Sequence, residues 1–217
     1  MNRSPQPDFI VGPKEVRFIL QALFFIGLVA YVWYFPPANS FDQTWVATWI
    51  AVVSVACIAA GELLRLWAAS HAGRSTRSDR IKARVLITTG PYAYIRHPIY
   101  VGNFLIGLGM ICLAEAFILV PVFLVLFTFY YRRIVFTEET FLKERFGLEF
   151  DLYCRLVPKY IPRVLPREIS FGRNFPLKEL GTACGIIISA LFLDWIKSPL
   201  HQLWIVGLWY WFQAIPR

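Results

Sequence analysis

Apolar residues in this chain run in long blocks, without the short alternation of a half-buried strand. A helix rises about 1.5 Å per residue, so a hydrocarbon layer about 30 Å thick is crossed by about 20 apolar residues. Val16 to Phe35 fits one span, closed by Pro36-Pro37, and Trp45 to Ala69 fits a second. Ile99 to Tyr131 is apolar almost throughout and too long for one crossing. Glu115 interrupts it near the middle and Pro121 follows, which predicts a tight hairpin of two short spans, fully crossing or re-entrant. Leu180 to Ile196 and Leu200 to Ile215 form a last pair around Lys197-Ser198-Pro199. The pattern predicts an all-α fold, a polytopic transmembrane bundle of about six spans.

Charge placement orients that bundle. Lys and Arg cluster before the first span (Arg3, Lys14, Arg17), between the second and third (Arg74, Arg77, Arg80, Lys82, Arg84, Arg96), and from Arg132 to Lys178. The alternate loops hold almost none, only Lys197 in the last. Positive-inside bias then predicts an integral, multi-pass protein with both termini cytoplasmic. The composition agrees: of 217 residues, 57% are hydrophobic and 17% charged. The net charge of +8 belongs to loops facing anionic lipid headgroups. It is split over membrane-bounded segments, which argues against nucleic acid as a partner. The first apolar run is too long for a cleavable signal and lacks a small-residue cleavage site. Cys57, Cys112 and Cys184 fall in spans and Cys154 in a polar segment, without metal or redox spacing, so no metal site is expected.

Two polar insertions interrupt the membrane domain. Ser70 to Ile95 carries Gly73, Gly90 and Pro91 and reads as mostly irregular. Arg132 to Lys178 begins as a helix continuing out of the fourth span, with Phe136, Phe141, Leu142, Phe146 and Leu148 near helical spacing. Gly147 is a candidate break; Leu152, Tyr153 and Leu156 continue the stripe; Pro158, Pro162 and Pro166 exclude regular helix. This stretch suits either a helix lying on the membrane surface or a lid folded over the protein. The expected organisation is a core over 1–175, with spans near 16–35, 45–69, 98–114 and 117–135 and a capping segment at 136–175. A further two-span hairpin at 176–217 follows.

Four groups of residues can carry chemistry. Arg96-His97-Pro98 stands at the entrance of the third span, where proline suits the first turn and free N–H groups attract anions. An anion site and a headgroup anchor are equally served there, and Tyr92, Tyr94 and Tyr100 read first as interfacial anchors. Glu138-Glu139 are adjacent carboxylates suited to a cationic ligand, or a solvated face pairing with Lys143 and Arg133. Glu62 and Arg65 lie one turn apart inside the second span, as a functional pair or a mutual ion pair with Arg65 snorkelling outward. The aromatics from Trp204 to Phe212 read as an interfacial belt.

Taken together, the order Gly90-Pro91-Tyr92, Arg96-His97-Pro98-x-Tyr100-x-Gly102, apolar hairpin, Glu138-Glu139, Phe146-Gly147, Tyr153, Val157-Pro158 resembles the isoprenylcysteine carboxyl methyltransferase family. The resemblance covers roughly Gly73 to Pro162. It implies S-adenosylmethionine bound on the cytoplasmic side beneath a capping segment. Carried over by position, Tyr94, Arg96, His97, Pro98, Tyr100, Gly102, Glu138, Glu139, Tyr153 and Pro158 would form the cofactor site. Arg133 would lie near the bound substrate, and Arg133 with Glu139 would be the catalytic candidates. No strand–GxGxxG–helix unit offers a soluble nucleotide fold instead. The C-terminal hairpin departs from the family pattern, which leaves the acceptor open: a lipophilic molecule from the bilayer carrying a carboxylate, amine or thiol. Two other readings compete, an NADPH-dependent membrane reductase and a non-catalytic membrane interaction protein.

Overall fold

A computed structural model of the chain describes residues 14–35, 44–72, 85–162 and 177–197. All regular structure among them is helical: α1 (Lys14–Tyr34), α2 (Thr44–Ala72), α3 (Pro98–Leu113), α4 (Val120–Phe146), α5 (Leu148–Leu156) and α6 (Leu177–Lys197), with 3-10 turns at Gly90–Ala93 and Phe117–Leu119. The predicted span at Leu200–Ile215 and its aromatic belt lie outside the described residues.

Two stretches are long and apolar enough to cross a bilayer, Trp45–Ala72 and Phe117–Phe146; Ile19–Tyr34, Pro98–Leu113 and Leu180–Ile196 are shorter apolar helices. Their outer faces carry exposed Leu23, Ile26, Trp49, Val53, Val125, Leu126, Phe129, Ile188 and Leu191. Water does not tolerate apolar surface of that extent, and lipid does. The chain is an integral membrane protein.

The hairpin forms where the sequence breaks. At the end of α3, Ala116 N–H donates to the Ile111 carbonyl and Glu115 N–H to that of Cys112, both at 3.0 Å. This is a Schellman turn, and Glu115 holds its left-handed position at φ 55° where glycine is usual. The second arm is not short. Pro121 sits within the first turn of α4, where it costs no hydrogen bond, and α4 runs 27 residues, or about 40 Å. Twelve of those residues, Val120 to Tyr131, precede the first charge. Arg132-Arg133 begin its charged part, which runs through the last turns. Gly147, at φ 53°, then turns the chain into α5.

α2 and α3 pack most closely. A Cβ on Gly61 would fall 2.6 Å from the Gly102 carbonyl oxygen, and one on Gly102 would fall 2.6 Å from Arg65 Cγ. One on Gly109 would lie 2.7 Å from Ile58 Cγ1 and 2.9 Å from the Ser54 carbonyl. Glycines spaced two turns apart let the backbones touch, as membrane helices require when the hydrophobic effect cannot press them together. α4 meets α3 through a different seam of rings: Phe104 with Phe123 and Phe127, then Phe127 on Tyr131 at 4.1 Å and Tyr131 on Tyr100 at 5.0 Å.

At the bundle end distant from His97, Leu28 and Val32 of α1, Ile58 of α2, Met110 and Ile111 of α3 and Leu193 and Ile196 of α6 form one buried cluster. The helix expected to start a separate C-terminal hairpin thus contributes to the common core. At the other end Leu86, Phe150, Tyr153 and Val157 make a smaller cluster that clamps α5 to the protein. Leu148, Leu152 and Leu156 remain exposed on its outer side. One face of α5 therefore folds back on the protein and another stays apolar and uncovered.

Candidate functional site

The first polar stretch is fixed by its prolines and one glycine. Gly90, at φ 61°, leaves room for His71 at the end of α2; a Cβ there would strike the imidazole ring at 2.4 Å. Pro91 opens a single 3-10 turn, and Tyr94 leans on Trp67 of α2. His97 is the residue before Pro98, held off helical geometry at φ −125°, ψ 61°. Its carbonyl receives the Tyr100 and Val101 N–H groups, both at 3.2 Å. The imidazole is thus aimed from the entrance of α3 and is only 5% exposed.

α4 brings the carboxylates to that entrance. Glu138 follows Tyr131 by seven residues, so both lie on the face that meets α3. Tyr100 Oη donates to Glu138 Oε2 at 2.9 Å, and His97 Nδ1 lies 3.7 Å from the same oxygen. Glu139 is the hub. Its Oε1 accepts Arg96 Nη1 at 2.8 Å and lies 3.0 Å from His97 Nε2, while its Oε2 accepts Lys159 Nζ at 2.7 Å. Burial opposes the charge on Glu139. Hydrogen bonds from His97 and Lys159, and the positive charges of His97 and Arg96, outweigh burial and hold the carboxyl down at about 2, from an ordinary 4.5. The expected helix-face pairing of Glu138-Glu139 with Lys143 and Arg133 does not form; Lys143 pairs with Asp151 at 3.3 Å.

The chain after α5 closes the cluster. Arg96 N–H donates to the Pro158 carbonyl at 3.0 Å, and the Tyr160 ring stands 6.2 Å from that of His97. Arg96 Nη1 also donates to Cys154 Sγ at 3.1 Å. Burial pushes the Cys154 thiol up, with Arg96 opposing, so it accepts as a neutral thiol. Tyr153 Oη donates to the Tyr92 carbonyl at 2.7 Å, and burial raises its phenol above the usual range. Arg96 Nε is buried and meets no acceptor among the described residues. A buried guanidinium N–H without a partner is costly.

Most residues expected from the motif gather here: Arg96, His97, Tyr100, Glu138 and Glu139 by their side chains, Pro158 through its carbonyl and Tyr153 as a brace. Tyr94 packs beside the cluster against Trp67, and Pro98 is buried as the first residue of α3. Gly102 faces the other way, against Gly61 and Arg65, and serves the helix crossing. Arg133 is exposed and lies about 160° around α4 from Tyr131, away from the face that meets α3. Glu62 and Arg65 form a buried ion pair at 2.9 Å, and the Arg65 stem lies against Gly102 without snorkelling outward. Sequence reasoning missed Lys159 and Tyr160, which directly follow Val157-Pro158, and the backbone acceptor at Tyr92.

Residues 52–144 match the isoprenylcysteine carboxyl methyltransferase (ICMT) family. The chain is 32% identical over 177 residues to the nickel-cobalt-cadmium resistance protein NccN of Alcaligenes xylosoxydans xylosoxydans, covering 77% of each chain. It is 31% identical over 154 residues to protein-S-isoprenylcysteine O-methyltransferase B of Arabidopsis thaliana, covering 69% of this chain and 70% of that one. Against the protein-S-isoprenylcysteine O-methyltransferase of Schizosaccharomyces pombe the identity is 41% over 109 residues, 48% of this chain and 46% of the yeast protein, so it spans about half the length of that relative. No solved structure matches significantly. The ordered motif, the helical bundle and these relatives agree: the chain belongs to the isoprenylcysteine carboxyl methyltransferase family of membrane methyltransferases.

Proposed function

We propose that the chain transfers a methyl group from S-adenosylmethionine to a lipophilic acceptor that reaches the site laterally from the bilayer. The observation that carries this reading is the cluster of two carboxylates, Arg96, His97 and aromatic faces at one end of a lipid-facing bundle, with Arg96 Nε lacking an acceptor among the described residues. The donor set fits the cofactor. Glu138 and Glu139 suit its ammonium, Arg96 and His97 its carboxylate, and Tyr100 and Tyr160, beside the His97 ring, its sulfonium and adenine. When bound, the cofactor supplies an electrophilic methyl on a positively charged sulfur.

The chain's own residues position the partners and exclude water. Aligning the acceptor atom with the methyl and sulfur is worth several kcal/mol of barrier, on the order of 7–11 in well-oriented cases. A carboxylate acceptor needs no general base, only orientation toward the methyl. An amine or thiol acceptor would give its proton to His97 or a glutamate. The Tyr153 to Pro158 stretch caps the site, as its bonds to Tyr92 and Arg96 already do. In the proposed topology the spans pass back and forth with both termini and the site cytoplasmic. The metal resistance in the NccN name describes that relative. An isoprenylcysteine-type carboxylate is the acceptor class we favour here.

The test is incubation of the purified protein with methyl-labelled cofactor and its native membrane lipids, followed by mass spectrometry of the labelled product. Thermal stabilisation by S-adenosylmethionine or its demethylated product, but not by NADPH, is expected. Stabilisation by NADPH alone would instead establish a reductase.

A further inference from the structure

We infer that Lys159 is an internal counter-cation, seated on the carboxylate oxygen that the cofactor's ammonium would use, and that it sets cofactor affinity by competing for that oxygen. The inference rests on the cofactor reading above. Glu139 has two oxygens, and both are taken by this chain: Oε1 by Arg96 and His97, Oε2 by Lys159 Nζ at 2.7 Å. An arriving ammonium therefore meets a like charge already seated at each oxygen of the deeper carboxylate, and at Oε2 it must crowd or displace Lys159. Arg96 and His97 are held in place by other contacts, Arg96 through its backbone bond to Pro158 and His97 by its place at the first turn of α3. Lys159 is the cation that can leave. It is 37% exposed, against 18% for Glu139, and its ammonium sits on a flexible stem in the irregular stretch after α5.

The chemistry of the contact favours exchange of like for like. The Lys159 Nζ is a primary ammonium donating to a carboxylate, the same bond an amino-acid ammonium would make. Binding therefore replaces one ammonium with another at Oε2 and releases Lys159 to water, where its solvation is recovered. The net gain at this subsite is smaller than for a vacant carboxylate, which weakens cofactor binding and eases product release. Substituting Lys159 with a neutral residue removes the competitor and leaves Glu139 a stronger acceptor.

Binding of S-adenosylhomocysteine, which keeps the ammonium and carboxylate, would be measured by calorimetry on the full chain in lipid nanodiscs. Lys159→Gln should bind about three- to five-fold more tightly than the unsubstituted protein, the scale of a half-exposed ion pair, and Lys159→Arg close to it. Acylation of Lys159 in the unsubstituted protein, followed by mass spectrometry, should be faster with ligand present. Unchanged or weaker binding by Lys159→Gln would overturn the inference, as would ligand protection of Lys159, since that places its ammonium on the ligand's carboxylate. Failure of the unsubstituted protein to bind would overturn the cofactor reading and this inference with it. Binding there without tightening in Lys159→Gln would overturn this inference alone.

Discussion

Glu139→Gln tests whether the charge hub holds the α3 entrance to α4. The amide keeps one carbonyl oxygen in place of two charged ones, and its NH2 is turned toward cations. A charge-assisted hydrogen bond contributes about 1.5–3 kcal/mol when buried, and the Arg96 contact at 2.8 Å belongs to that class. The Lys159 contact involves a half-exposed lysine and adds about 0.5 kcal/mol. The expected loss at neutral pH is therefore about 2–3 kcal/mol, read from denaturant unfolding in bicelles. The pH dependence carries the sharper signature. Glu139 is held near 2 when folded, below its ordinary 4.5, so the stability it contributes is complete above about 4.5 and is lost as pH falls toward 2. Glutamine does not titrate. The contribution of the Glu139 charge to the gap should be lost as pH falls from about 4.5 to 3 and below. A gap under about 0.5 kcal/mol at pH 7, or one that stays constant down to pH 3, would refute the assignment of Glu139 as the hub.

Three further outcomes follow from the same geometry. Gly61→Ala places a Cβ 2.6 Å from the Gly102 oxygen on a backbone that cannot yield easily, so unfolding should shift by about 2 kcal/mol or more, with the Arg96–Glu139 end disturbed as well. Tyr153→Phe removes the donor to the Tyr92 carbonyl and should cost about 1–3 kcal/mol, together with faster amide exchange across α5. Glu115→Gly relieves the left-handed backbone at the end of α3 and should raise the unfolding midpoint, by about 1 kcal/mol in free energy.

The hairpin break, the proline-led start of α3 and the glycine stop at 147 were all readable, because each rests on local backbone chemistry that the residue type alone dictates. The gathering of Arg96, His97, Tyr100, Glu138 and Glu139 was readable through the ordered motif, although no single member declared it. Periodicity on α4 would have placed Glu138 with Tyr131, yet it is silent about which cation each carboxylate meets. Lys159 escaped notice for that reason: its partner is 20 positions away in sequence, across a turn and a helix. The packing of Gly102 against Gly61 and the Arg65 stem was also not legible in isolation. It comes from two backbones in contact, and a close approach between α2 and α3 is a tertiary fact that one helix's pattern does not contain.

The basic residues at 96 and 97, the carboxylates at 138 and 139 and the lysine at 159 enter the growing chain in that order, the first pair separated from the rest by an apolar hairpin. Arg96 and His97 are therefore made before the carboxylates that pair with them. Their charge is answered only when the chain has gone in, turned at Glu115 and come back to the side it left. A hairpin that inserted wrongly would strand a guanidinium and an imidazole with nothing to neutralise them. The cluster thus forms only once α3 and α4 have paired: closing the hairpin and finishing the site are a single event.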